Sequence, residues 1–145
     1  MRWLAIDHGT KKIGLAFSDE LEILASPFEV WPQEHETTLG RLVRLCREEG
    51  VQALAIGLPR HKDGAESATA PSARAFGEAL AERTGLPVRF VNEHLSSAEA
   101  ERLLRERGVK PEKRKLRLDA AAAAVILGEL LEDRRAKGTP VSSPD

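Results

Sequence analysis

The chain has 145 residues, of which 41% are hydrophobic and 31% are charged, with a formal net charge of -1 at pH 7. This size and composition predict one soluble globular domain and exclude a disordered or membrane chain, because the longest uncharged apolar run, 120–128, is too short to cross a bilayer. The near-zero charge gives no overall attraction to nucleic acid, so contact with a phosphate backbone would need a local basic patch.

Residues 2–18 form the first predicted element, a β-hairpin in which two apolar runs flank a polar turn containing Gly9. Asp7 ends the first run, where strands disfavour Asp. With Lys11 and Lys12 just after it, this carboxylate indicates a site for a metal or a phosphate. The structural alternative is an Asp that opens the turn through backbone hydrogen bonds. Asp7 and Lys11 also interrupt the early apolar segment, so we expect no signal peptide, a cytoplasmic location and no membrane partner.

The rest of the chain alternates between strand and helix patterns. In order, we predict a strand at 27–31, a helix from Thr37 or Thr38 to Gly50, a strand at 53–57, a helix at 70–84, a strand at 88–91, a helix from a Ser96 capping box to Gly108, and a last, buried helix from about 118. This order predicts the α/β class, with a five-stranded mixed sheet flanked by helices on both faces. Residues 1–138 would form a single domain and 139–145 a flexible tail.

Three carboxylates fall at places that this topology could bring together. Asp7 ends the first strand, Glu93 follows the last, and Asp119 lies at the predicted start of the buried helix. Ligands of such sheets bind beyond the carboxyl ends of the parallel strands. Crowded carboxylates with no lysine fixed among them favour hard divalent cations, and two Mg²⁺ or Mn²⁺ ions can promote phosphodiester hydrolysis. A solvated Glu93 and a helix-capping Asp119 are the structural alternatives.

Basic residues are placed to hold a nucleic-acid backbone around these acids. They occur in the first turn, in the polar loop at 60–67 and in the basic run at 109–118. Binding through them would weaken as salt rises. The candidates for nucleic-acid contact are Lys11, Lys12, His61, Lys62, His94, Lys113, Arg114, Lys115 and Arg117.

An ordered set of motifs carries a family resemblance over residues 3–133. It consists of Asp7-His8-Gly9-Thr10-Lys11-Lys12-Ile13-Gly14, Gly57-Leu58-Pro59, Asp63-Gly64, Glu93-His94-Leu95-Ser96-Ser97 and Leu118-Asp119. Together these resemble the YqgF/RuvX family of ribonuclease H-like proteins, described as pre-16S ribosomal RNA nucleases and earlier as Holliday junction resolvases. The resemblance implies an RNase H-like fold, the family's three acids on Asp7, Glu93 and Asp119, and processing of the 5' end of pre-16S rRNA.

The chain departs from the family pattern at two places. It has Asn92-Glu93-His94-Leu95 where the family commonly has Asp-Glu-Arg-Leu, and Lys11-Lys12 where Lys-Arg is common. Glu93 is kept, so the acidic triad survives. His94 is mostly neutral at pH 7 and lacks the two-pronged grip of arginine on phosphate, so its contact with RNA would be weaker or pH-dependent. An ordinary exposed residue at a helix entry is the alternative for His94.

Other functions are compatible with the same sequence motifs. The chain could resolve branched DNA as a Holliday junction resolvase, which would act as a homodimer, whereas an RNA nuclease could be a monomer. It could also be a nucleic-acid-binding module without turnover. An actin-like or Hsp70-like ATPase has a similar first hairpin, but its two domains need a longer chain. Phosphodiester chemistry does not separate RNA from DNA, and the sequence reveals no aromatic platform for unpaired bases.

Overall fold

The computed structural model describes residues 1–59, 68–93 and 97–137, without the side chains of 97–99 and 115. Its strands form one sheet in the order β3-β2-β1-β4-β5. The first three strands are antiparallel neighbours, whereas β4 runs parallel to both β1 and β5. The predicted five-stranded mixed sheet is therefore confirmed. The strands are β1 (Trp3–His8), β2 (Lys12–Ser18), β3 (Ala25–Pro32), β4 (Ala53–Pro59) and β5 (Val88–Glu93).

Helices cover both faces of the sheet, as predicted. One face packs against the first two helices through a cluster that includes Leu42 and Leu80. The other face packs against the last helix, and the third helix lies against that last one through Leu104. The helices are α1 (Glu36–Glu48), α2 (Ala70–Thr84), α3 (Ser97–Glu106) and α4 (Pro111–Ala136).

Alternation along the central strands separates the two clusters. In β1, Leu4 and Ile6 point towards α1 and α2, whereas Ala5 points towards α4. Ala16 and Ala55 share the face of Ala5 and are fully buried. Because successive strand side chains point to opposite faces, small residues on this face let α4 lie close to the sheet. That close approach decides where the side chains of α4 fall relative to the strand ends.

The start of the last helix differs from the prediction. The basic run belongs to α4, which begins at Pro111 rather than near 118. Lys and Arg are good helix formers, and proline fits a first helical turn because the N–H it lacks has no partner there. Asp119 consequently lies inside the helix, so neither its predicted place at a helix start nor the capping alternative is correct.

The start of α1 also differs, because neither Thr37 nor Thr38 caps it. The helix begins at Glu36 after His35, whose φ of 46° lies in the left-handed region, and no side chain caps it. The buried Thr38 hydroxyl instead accepts a hydrogen bond from the Glu34 N–H at 2.7 Å and donates to the Pro32 carbonyl at 3.1 Å. It thus ties the helix to the end of β3.

Other boundaries agree with the sequence or lie outside the described residues. The prediction for α2 is confirmed at both ends, with Gly85 as a left-handed C-terminal cap at φ 73°. The Ser96 capping box and the tail at 139–145 fall outside the described ranges. Within those ranges, no helix is both long enough and apolar enough to cross a bilayer.

Candidate active site

Two of the predicted acids lie at one edge of the sheet. Asp7 is next to last in β1 and pairs with Gly14 of the neighbouring β2. Glu93 ends β5 and pairs with Pro59 at the end of β4. Because β1, β4 and β5 run parallel, their carboxyl ends meet at the same edge. Both side chains are partly buried there.

Gly14 brings the third acid to this edge. A β-carbon at Gly14 would overlap the backbone carbonyl of Asp119, so the missing side chain lets α4 touch β2 directly. Since Gly14 is the register partner of Asp7, the contact sets Asp119 beside Asp7. Gly57 makes room similarly, because a β-carbon there would lie 2.7 Å from Ile126 Cδ1 and 3.4 Å from Glu93 Oε2. Both glycines stand in the sequence motifs, but their spatial role was not predicted.

Burial and mutual repulsion change the protonation of these acids. Burial raises the pKa of Asp7 from its ordinary 3.8 to about 8, and the charges of Glu93 and Asp119 add to the rise. Burial also raises the pKa of Glu93, with repulsion from Asp119 and Glu129, although its hydrogen bond with Asp7 acts in the opposite direction. The two carboxyls therefore share a proton near neutral pH.

Lys12 lies against this centre rather than apart from it. Its ammonium Nζ is 3.2 Å from Asp119 Oδ2, and the Lys12 side chain is 54% exposed. The expectation of an acidic cluster with no lysine fixed among its members is therefore wrong. An ammonium on an exposed, flexible stem neutralises Asp119 and can still turn away from it.

The donor chemistry of the site suits a hard divalent cation. Asp7, Glu93 and Asp119 offer only carboxylate oxygens, the ligands that Mg²⁺ prefers in proteins. The three are not arranged as a ready coordination set, since no group of three or more acidic, His or Cys side chains in the described ranges is placed to hold a metal ion. Binding would require Asp119 to leave Lys12 and turn towards the Asp7–Glu93 pair.

The basic candidates divide into accessible and structural ones. Lys11, Lys113 and Arg117 are exposed. Arg114 is partly buried, and its Nε donates to the Val109 carbonyl at 2.9 Å, so it stabilises the start of α4. Three candidates, His61, Lys62 and His94, lie outside the described ranges, as does the side chain of Lys115.

His8 follows Asp7 in β1, and its side chain points to the opposite face of the sheet. Its ring packs against the Phe76 ring, with 4.8 Å between the centroids. Burial and the nearby His35 lower the pKa of His8. The imidazole is therefore predominantly neutral at pH 7 and packs on the side of α2 rather than at the acidic centre.

A family profile described as "RuvX: Holliday junction resolvase" matches residues 1–133. The chain belongs to the RuvX family. Relatives within it include a protein of Anaeromyxobacter sp. strain Fw109-5, 43% identical over 94% of this chain and 100% of the relative, and one of Dictyoglomus thermophilum, 39% identical over 91% and 96%. Both are named "Putative pre-16S rRNA nuclease". The predicted membership of a nuclease family is confirmed.

Solved structures confirm the RNase H-like fold of this RuvX chain. Thermus thermophilus RuvC has a TM-score of 0.62 at 19% identity, over 94% of this chain and 97% of RuvC. The fowlpox virus resolvase, solved with Holliday junction DNA, has a TM-score of 0.59 at 13% identity, over 92% and 98%. At these identities the likeness concerns the fold alone.

Proposed function

We propose that this chain is a divalent-metal-dependent endonuclease that hydrolyses phosphodiester bonds in precursor 16S rRNA. The observation that carries the proposal is the convergence of Asp7, Glu93 and Asp119, with the pKa of Asp7 raised to about 8. Structural acids are normally paired with cations or solvated, whereas strongly perturbed acids are concentrated at functional sites. The names of the relatives support ribosomal RNA as the substrate.

In this proposal the three acids hold two Mg²⁺ or Mn²⁺ ions. When bound, such ions activate water and stabilise the charge on the leaving oxygen. Asp7 from the end of β1 and Glu93 from the end of β5 would hold them as a pair across β4, and Asp119 would join them from α4. The ammonium of Lys12, 3.2 Å from Asp119 in this structure, is then released to contact a phosphate of the substrate.

The exposed basic residues near the site hold the RNA backbone. Lys11 lies in the turn after Asp7, and Lys113 and Arg117 lie on the first turns of α4. In the same proposal, His61, Lys62, His94 and Lys115 also contact the RNA. Arg114, bound to the Val109 carbonyl, acts on the position of α4. Processing at the 5' end of the precursor and a cytoplasmic location complete the proposal.

Cleavage by purified protein tests the active site. A labelled RNA containing the 5' junction of pre-16S rRNA is incubated with Mg²⁺, Mn²⁺ or EDTA, beside four-way-junction DNA. We expect metal-dependent cleavage of the RNA that Asp7→Asn reduces by about 100-fold or more, since several kcal/mol of transition-state stabilisation are lost. Asp133→Asn makes the same change at an exposed acid of α4 and should leave the rate unchanged. Equal cleavage by Asp7→Asn would refute the assignment.

The family description and the RuvC-like fold favour branched DNA as a second candidate substrate. Paired nicks in four-way-junction DNA, made by a homodimer, would select this function over RNA processing. Binding of either substrate without cleavage under all metal conditions would instead identify a non-catalytic binding module.

A further inference from the structure

A groove of about 740 Å³ follows β3, the edge strand of the sheet, on the side where α3 joins α4. Its volume lies in the range of ligand-binding clefts. Its lining includes aromatic, aliphatic and arginine side chains, namely Phe28, Trp31, Arg41, Arg107, Leu116 and Arg117. Of these residues, Arg117 belongs to the proposed RNA contacts of the active site, and the other five have no part in it.

The groove is predominantly basic. Among the described residues, it is lined by Arg41, Arg107 and Arg117 and by a single acid, Glu29. Within the described part of the chain, neither Arg41 nor Arg117 lies within ion-pair distance of a carboxylate. Arg41 is held in place by the Trp31 ring, 4.0 Å below its guanidinium carbon. Fixed guanidinium groups of this kind suit a polyanion.

Apolar surface accompanies this charge. Phe28 is 41% exposed and Leu116 is 72% exposed at the groove. The Phe28 ring meets the Phe17 ring edge to face, at 4.9 Å between centroids, so one side is supported by the core. An aromatic ring held in this way and open to solvent can stack against an unpaired base, and aliphatic side chains can flank that base.

Two residues of the groove are direct neighbours of residues at the acidic centre. One is Pro32, which pairs with Lys12, the lysine that contacts Asp119. On the opposite wall the groove reaches Ala120, directly after Asp119. A strand whose phosphate lies at the acidic centre could therefore reach this groove with its next nucleotides.

A peptide strand is the other occupant to consider, because edge strands can pair with one. Two features of β3 oppose that pairing. Pro27 and Pro32 have no N–H to donate, and Arg107 Nη2 already donates to the Ala25 carbonyl at 3.0 Å. The excess of arginine over acid also favours an anionic strand.

We propose that this groove binds the unpaired nucleotide strand that adjoins the cleaved phosphodiester bond. Phe28 stacks on a base, and Arg41 and Arg117 contact the phosphates. The inference rests on the proposed nuclease function and adds to it a preference for substrates with a single-stranded segment next to the cleavage site. The recognised chemistry, bases and phosphates, is common to RNA and DNA.

Direct binding tests the proposal apart from cleavage. Anisotropy is measured with a fluorescent single-stranded RNA, the DNA of the same sequence and the corresponding RNA duplex, with Ca²⁺ replacing Mg²⁺. We expect Phe28→Ala to weaken single-strand binding by about tenfold, within the range of one base–aromatic stack, and duplex binding by less than twofold. Phe28→Trp should retain affinity. Arg117→Ala should weaken single-strand binding and lower the salt slope by about 1.

Matched control variants are available outside the groove. Leu24→Ala removes another exposed apolar side chain, 63% exposed in the β2–β3 turn, and Arg44→Ala removes an exposed arginine of α1 outside the groove. Both should bind all three probes as the wild type does. Arg117 is a surface residue, so its variant stays informative if Phe28→Ala proves poorly folded by circular dichroism.

Several results would overturn the proposal. These are wild-type affinity in both groove variants, an equal loss for duplex and single strand, and no single-strand binding by the wild type. A groove variant that only dissociates a dimer in sedimentation would assign the groove to self-association instead. If single-strand binding depends on the groove but the wild type does not cleave, the proposed nuclease function is refuted and the groove remains a binding site. If the groove variants bind and cleave as the wild type does, only the proposal for the groove is refuted.

Discussion

At the scale of one residue, the Asp7 carboxyl suits the proposed chemistry of the site but lowers the stability of the fold when it is ionised. Its carboxyl is enclosed at the end of β1 and faces Glu93 and Asp119, which together with burial raise its pKa to about 8. A folded-state pKa above the ordinary 3.8 means that the folded chain holds a proton that the unfolded chain has released. The acidic group therefore favours folding at low pH and opposes it as pH rises.

Replacing Asp7 with Asn should remove this pH dependence of stability. The contribution of Asp7 is complete below about pH 4 and is lost as pH rises through about 8. In EDTA, we expect Asp7→Asn to unfold like the wild type near pH 4 and to be more stable at pH 8. The gain at pH 8 should be on the order of several kcal/mol, at about 1.4 kcal/mol for each unit of pKa displacement. Urea unfolding across this range measures it.

The control for this measurement is Glu48→Gln, which neutralises an exposed acid at the end of α1. It should follow the wild-type curve at every pH. Parallel curves for Asp7→Asn and the wild type between pH 4 and 8 would contradict the raised pKa of Asp7 and the electrostatic basis of the site.

Helix α4 is the element that completes the site, and Gly14 is where it meets the sheet. The Asp119 carbonyl occupies the space that a β-carbon of residue 14 would need. Protein interiors are packed to crystal-like density, so neither backbone can yield without moving its neighbours. The position of Asp119 thus depends on a side chain that is absent from β2.

Adding one methyl group at this contact should separate α4 from β2. We expect Gly14→Ala to destabilise the fold by about 3 kcal/mol, the upper range for overpacking, and to displace Asp119 from Asp7. Gly128→Ala is the matched control in α4, since nothing lies within 4 Å of a β-carbon there. It should stabilise the protein by about 0.5 to 1 kcal/mol. Thermal and urea unfolding measure both, and an unchanged Gly14→Ala would contradict the contact.

At the scale of the whole molecule, a buried ion pair joins the end of α4 to the turn between β2 and β3. Arg134 in the last turn of α4 donates through Nε to Glu22 Oε1 at 2.7 Å, and both side chains are 5% exposed. The amino group of Met1 lies 3.3 Å from the other Glu22 oxygen. Arg135 adds a 2.8 Å bond to the Glu22 carbonyl. The chain start, the β2–β3 turn and the end of α4 are therefore held together.

Breaking this pair should destabilise the whole fold. Arg134→Met leaves the buried Glu22 carboxylate without its guanidinium partner, and we expect a loss of about 3 kcal/mol. Adding Glu22→Gln should recover part of that loss, because no buried charge then lacks its partner. Arg102→Ala removes an exposed pair with Glu106 and should change stability by less than about 0.5 kcal/mol. Urea unfolding tests all three, and additive losses would contradict the coupling.

Local patterns in the sequence determine most of the elements. Short apolar runs, and glycine and proline residues at their ends, predict β1 to β5 and α2. The alternation of strands and helices predicts that helices lie on both faces of the sheet. The same patterns mark Asp7 and Glu93, because an acid at the end of an apolar strand is conspicuous. The start of α4 was missed because its first turns are charged, and a charged run has the composition of both a loop and an exposed helix.

Contacts between distant residues are decided only by the tertiary structure. The sequence does not show that Lys12 reaches Asp119 or that Gly14 admits α4 to the sheet. It also does not show that Phe28 lines a groove together with residues of α3 and α4. Periodicity specifies which face of an element is buried, because burial follows from side-chain polarity at a fixed spacing. Which residues of two elements then meet depends on how closely their backbones can pack.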